Sequence, residues 1–244
     1  MSKYFIIVNY RTLIAILISI ITPYLAYKYN LNYNIDLTLI SIAIVFPLVF
    51  TIRSSFRRRE KALEHLSQFR AAIKTLEFLF KSKNLPEEKR DEIAAILKEI
   101  SEKVVNHLKS NNYSTKELDA VINKVSLFII DNNAILSKSL KSRVIRYLND
   151  LHEAIDNLHA IHIHRTPISL KAYCLLFIYI FPLIYTPTII SKIGVDSTMW
   201  ITYFIVILSE FILISLYNIQ DHIEYPFDQD GLDDINLNVF KIDR

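Results

Sequence analysis

Four charge-poor apolar runs constrain this chain more than any other feature. They fall at 13–27, 36–52, 172–190 and 199–217, two on either side of a long stretch where charge returns. A helix of about 20 residues crosses a hydrocarbon layer. Inside that layer the backbone must satisfy its own hydrogen bonds, which leaves helices or closed barrels. None of the runs alternates polar and apolar residues as a barrel strand does. Two glycines and seven prolines in 244 residues supply few of the turns that a β-rich fold needs. The chain is 52% hydrophobic with a mean hydropathy of +0.26, which favours a membrane class. The sequence therefore predicts an all-α membrane protein with four transmembrane helices per subunit in two hairpins. Its first run ends in ITPYLAYKYN, with no small-x-small cleavage pattern, and is expected to stay as a membrane helix.

Four regions follow in order. Residues 1–56 form an N-terminal membrane hairpin and 57–165 a helical domain. A second membrane hairpin spans 166–217 and an acidic tail 218–244. Asp36 is placed to cap the second helix with an acid at its positive end. Pro47, with no N–H to donate, is expected to kink that helix. In the helical domain Leu63, Leu66, Phe69, Ile73, Leu76 and Phe80 keep helical apolar spacing. A break is expected at Asn84, with Pro86, Glu87 and Glu88 opening the next helix. Ser114 and Glu117 have capping-box spacing, and helices are expected over 113–131 and 135–163. Lys3, Arg11, Arg57–Arg59 and Arg165–Lys171 fall on one side of the predicted membrane, against Lys28 and Lys192 on the other. The positive-inside rule then places both termini and the helical domain in the cytoplasm, under a multi-pass inner or plasma membrane.

Ile42, Phe46 and Phe50 sit four residues apart and form one stripe on a helix. By itself that stripe fits a packed core, a lipid-facing surface or a pore lining. The Arg57–Arg59 cluster reads either as a topological anchor or as a source of positive potential. Glu210 is the one acid in an apolar run, where a carboxylate is costly; a structural hydrogen bond or a partner in a neighbouring subunit would explain it. His152, His159, His162 and His164 lack an acid or Cys at ligand spacing, so a transition-metal centre is disfavoured. The single Cys174 excludes a disulfide framework. No nucleophile elbow or phosphate-cradling glycine loop is present, so no enzyme is expected. Basic residues interleave with acids, which argues against nucleic-acid binding.

Three stretches in sequence resemble the bestrophin family of ion channels. Glu224-Tyr225-Pro226-Phe227-Asp228-Gln229-Asp230-Gly231-Leu232-Asp233-Asp234 is similar to the family's acidic segment after its last membrane helix. Thr166-Pro167-Ile168 resembles the Thr-Pro-Ile-Pro segment leading into the second hairpin of bacterial members. Phe50–Ala62 stands where the family has Phe-Arg and a Trp-Trp-Glu segment, although Arg59 and Glu60 replace the double Trp, Thr51 replaces a common Arg, and Tyr225 replaces the usual Asn. The resemblance implies a homopentamer in membrane lipid that passes permeant ions down their gradient through an axial pore. It implies a hydrophobic neck of Ile42, Phe46 and Phe50, where narrow apolar rings gate by dewetting. A second aperture is implied at Val144. Asp230 and Asp233, with backbone carbonyls near His222 and Tyr225, are implied to clasp a structural or regulatory Ca²⁺, a hard cation that seeks several oxygens; no other cofactor is required. The family includes anion and cation conductors, so chloride and monovalent cations both remain open. The alternative function is a non-conducting receptor or scaffold that binds a partner through its helical domain.

Overall fold

The computed structural model of the chain describes residues 7–81, 85–194, 199–231 and 233–243. Lys3, Asn84, Leu232 and positions 195–198 of the last interhelical loop lie outside them. The described residues form seven α-helices: α1 Tyr10–Lys28, α2 Thr38–Lys81, α3 Glu87–Lys109, α4 Lys116–Asp131, α5 Lys138–Ile163, α6 Ile168–Ile193 and α7 Met199–Ile223. A 3₁₀ turn follows at Leu237–Phe240, and no strand occurs among the described residues. The chain divides into two compact units, Met1–Arg57 with Thr166–Glu224, and Arg58–Arg165 with Tyr225–Arg244.

The first unit holds four helical segments long and apolar enough to cross a membrane: α1, the first part of α2, α6 and α7. α1 packs on α6 and α7. The cause lies in its buried face of Thr12, Ala15, Ser19, Thr22 and Ala26, small side chains that let helices approach closely where lipid gives no hydrophobic drive between them. Asn9 starts α1 by accepting from the N–H groups of Arg11 and Thr12, while the Thr12 hydroxyl accepts from the Asn9 N–H in return. Asp36 lies just outside α2, which begins at Thr38, and its carboxylate accepts from the Thr38 N–H at 2.9 Å.

Pro47 sits inside α2 without ending it. A proline here frees the carbonyl four residues earlier. That carbonyl, on Ala43, accepts the Tyr173 hydroxyl of α6 at 3.3 Å, so the proline's missing bond becomes a contact between helices. The apolar core of this unit gathers Ala15, Ile44, Leu48, Cys174, Ile178, Phe181, Ile214 and Tyr217.

The second unit is built on the remainder of α2. Ala62, Leu66, Phe69, Ile73, Leu76 and Phe80 are buried along it, as the 3.6-residue period requires. They join a core with α3, α4 and α5, where Phe80 meets Phe128 edge to face at 5.6 Å. Ser137 caps α5, accepting from the Leu140 N–H. The expected capping box at α4 does not form. Its N-cap is Thr115, with no side-chain cap bond, and Glu117 pairs with Lys103 at 2.8 Å instead. The tail is not a separate polar segment: α7 continues to Ile223, and Phe227, Ile235, Leu237 and Ile242 enter the core of the second unit. The Ile242 N–H donates to the buried Ser101 hydroxyl at 3.0 Å.

Candidate functional site

α2 has two opposite faces in the first unit. Ile44, Leu48, Thr51 and Ser55 recur at spacings of four, three and four and are all buried. At about 100° per residue, Ile42, Phe46 and Phe50 project roughly 150–230° away from them. Their exposures are 50%, 59% and 55%, so the described residues leave about half of each large apolar group uncovered. Phe46 and Phe50 stack edge to face at 5.3 Å, an arrangement that restricts both rings. The stripe is therefore an outward-facing apolar ladder and not part of the chain's own core.

Arg53 and Arg57 prolong this face, exposed, and line an open hollow with Phe50 and Ser54. The rest of the arginine cluster is occupied elsewhere. In the second unit the Arg58 guanidinium donates to the Ile161 carbonyl, and Arg59 Nε donates to the Asp233 carbonyl at 2.7 Å. The sequence shows three adjacent arginines. The fold separates them by partner.

Val144 corrects the expected second aperture. It is 1% exposed within the core of the helical unit and cannot line a passage. Ile145, one residue on, is 58% exposed. One residue on a helix is a rotation of about 100°, so a small register error exchanges core for surface.

At the acidic turn the carboxylates in contact are Asp228 and Asp234, while Asp233 contributes its carbonyl to Arg59. Burial, a hydrogen bond with Asp228, and the charges of Asp228 and Asp230 push Asp234 up to about 6. The Gly231 N–H donates to Asp234 Oδ2 at 2.8 Å, and a Cβ on Gly231 would lie 2.5 Å from Asp234 Oδ1. The turn closes through the Ile235 N–H to the Pro226 carbonyl at 2.9 Å. Among the described residues no group of three His, Cys, Asp or Glu is disposed to hold a metal. Asp230 and Asp233, the carboxylates expected to meet a hard cation, are both exposed. His222 lies in the last turn of α7, and the Tyr225 ring is covered by the Arg165 guanidinium at 4.5 Å.

Two polar clusters escaped the sequence reading. In the first unit Lys171 reaches both Asp221 and the fully buried Glu224, the latter at 2.7 Å, while Arg11 pairs with Asp221 at 2.7 Å. The other Glu224 oxygen accepts the Thr166 N–H at 2.7 Å. Their signal was two acids three residues apart at the basic end of an apolar run. In the second unit His107 and His159 share a hydrogen bond of 2.9 Å, and His162 Nε2 bonds the Ser110 carbonyl at 2.9 Å. Burial, then the neighbouring His159 and His162, lowers His107 to about 4. Burial also lowers His162. A neutral imidazole supplies one donor and one acceptor, so the pair is satisfied without a metal. Glu210 is 0% exposed, and among the described residues neither carboxylate oxygen has a hydrogen-bond partner, so the expected structural hydrogen bond is not found there.

No family model matches this sequence, and no curated protein matches it. Solved structures do. A bacterial bestrophin homologue from Klebsiella pneumoniae superposes with a TM-score of 0.76 at 18% identity, covering 95% of this chain and 93% of that one. A point mutant of the same homologue gives 0.77 at 17% identity over 95% of each chain. The chain thus has the fold of the bacterial bestrophin homologues.

Proposed function

We propose that the chain is one subunit of a homopentameric ion channel, with passive conduction through an axial pore. Its neck is formed by Ile42, Phe46 and Phe50 from five copies of α2. The observation that carries this reading is the uncovered apolar ladder on the face of α2 opposite its packed face. Lipid covers such a ladder as well as a pore does, and the bestrophin-like fold favours the pore. Around an axis, stacked apolar rings offer ions no polar partner and control passage by wetting. Both termini and the helical unit lie in the cytoplasm in this reading, by the basic residues at that end of the spans.

Reconstituted protein in planar bilayers tests the neck. Phe46→Ala or Phe50→Ala is expected to raise conductance or remove gating. Unchanged currents from assembled mutant would reject the neck, and a monomeric wild type would reject the pore.

The same proposal carries Ca²⁺ as a structural or regulatory ion at the acidic turn, held by Asp230 and Asp233. Calorimetric titration of chelator-treated protein is expected to show binding that Asp230→Ala/Asp233→Ala removes. No heat from the parent chain would discard the ion and leave the pore untouched.

A further inference from the structure

We infer that two hydrogen bonds behind the ladder, from Tyr173 to Ala43 and from Gln220 to Ser55, hold α2 back from the axis and keep the neck open. The inference rests on the pore reading of Ile42, Phe46 and Phe50 and adds to it the residues that position that face.

Both bonds lie within the first unit. Their donors sit on α6 and α7, which pack on each other and on α1. Three residues before Phe46, the Ala43 carbonyl, freed by Pro47, accepts the Tyr173 hydroxyl at 3.3 Å. Five residues after Phe50, the Ser55 hydroxyl accepts from Gln220 Nε2 at 3.2 Å. At 1.5 Å per residue the two contacts stand roughly 4.5 Å and 7.5 Å beyond the phenylalanines, one at each end. They bracket the neck. Ser55 is also nine residues from Phe46, about 900° of winding, which places it on the opposite side of the helix. A pull on Ser55 toward α7 is therefore a pull on Phe46 away from the side that the ladder faces.

The anchor at Gln220 is braced from behind. Ser55 and Gln220 are both 0% exposed, so their bond forms in a low-dielectric setting. The same Nε2 donates to Glu224 at 3.1 Å, and that carboxylate takes the Lys171 ammonium at 2.7 Å. Lys171 also holds Asp221, which pairs with Arg11 of α1 at 2.7 Å. One run of polar contacts thus leads from α1 through α6 and α7 to the back of the pore helix. The Gln220 carbonyl oxygen, by contrast, has no partner among the described residues. A buried amide left half-satisfied costs stability, and apolar groups of the same shape would pack there at no such cost. What Gln220 and Ser55 supply is the position of α2.

The test uses the full chain in planar bilayers, with Tm measured on the same preparations and each variant first checked for the wild-type oligomer. Ser55→Ala is expected to lower the open probability at least about fivefold, the weight of one lost hydrogen bond, with unitary conductance and Tm close to wild type. Tyr173→Phe is expected to act in the same direction. Ser55→Ala/Gln220→Leu is expected to fall no further than the more affected of its two single variants, because both remove one bond. Wild-type open probability in Ser55→Ala overturns the inference, as does a double variant in which the two losses multiply. A lower Tm with unchanged gating marks a merely structural bond and overturns it too. Phe46→Ala separates this inference from the pore reading. Altered current in Phe46→Ala beside an inert Ser55→Ala spares the neck and rejects the two bonds as its support. Absence of current from wild type and Phe46→Ala alike rejects both.

Discussion

Glu210 is buried in α7 with two carboxylate oxygens and, among the described residues, no donor for either. An unsatisfied polar group in an apolar setting costs about 1–3 kcal/mol by protein measurements. Glu210→Leu, similar in bulk, is expected to raise the Tm of detergent-solubilised protein. A fall would show that assembly supplies Glu210 with a partner. His107 offers a second single-residue test. Its folded pKa of about 4 lies below the ordinary 6.5, so the unfolded chain binds a proton that the folded chain refuses. The stability it contributes is complete above about pH 6.5 and is lost as pH falls toward 4. Thermal unfolding across that window should show the decline, and His107→Gln should flatten it; an unchanged slope would remove His107 from the account. Neither feature was legible in the sequence. Glu210 was visible as an acid in an apolar run, but its surroundings depend on the helices packed on α7, α1 and α6. His107 lies 52 positions from His159, and only the packing of α3 on α5 joins them.

Elements show a different balance. Apolar runs fixed the number and order of the helices, because membrane spans leave little choice of secondary structure. Local chemistry was less dependable: the Ser114 and Glu117 spacing was right for a capping box, yet Glu117 found Lys103 across the helical unit. Pairing of α1 with α6 and α7 was also hidden, since short loops suggest neighbours and small residues chose others. The junction of α6 with α7 depends on Lys171, whose ammonium meets the 0%-exposed Glu224 side chain. Lys171→Ala leaves that carboxylate buried without its cation, a loss of about 3–5 kcal/mol. A clear drop in Tm is expected, and a drop below 1 °C would argue that the Thr166 N–H and Gln220 suffice to hold Glu224. The candidate neck was legible as a stripe, whereas its outward direction required the burial of Ile44 and Leu48 on the other side.

At the scale of the whole molecule, the helix that carries the ladder also carries a wall of the second core. Within the second unit the buried positions of α2 keep one angular phase from Ala62 to Phe80, because 18 residues close five turns and that number separates these two. Length itself is therefore under constraint. Between them lie exposed positions such as Ser67, Gln68 and Ala71, the kind of place where a point substitution is mild. Adding one residue there would turn Phe80 by about 100° against Ala62, while seven would return it to within roughly 20°. A homologue with a longer α2 should differ by whole pairs of turns, and a one-residue insertion should fail where most replacements succeed. The chain can drift in composition along this helix far more freely than it can drift in count.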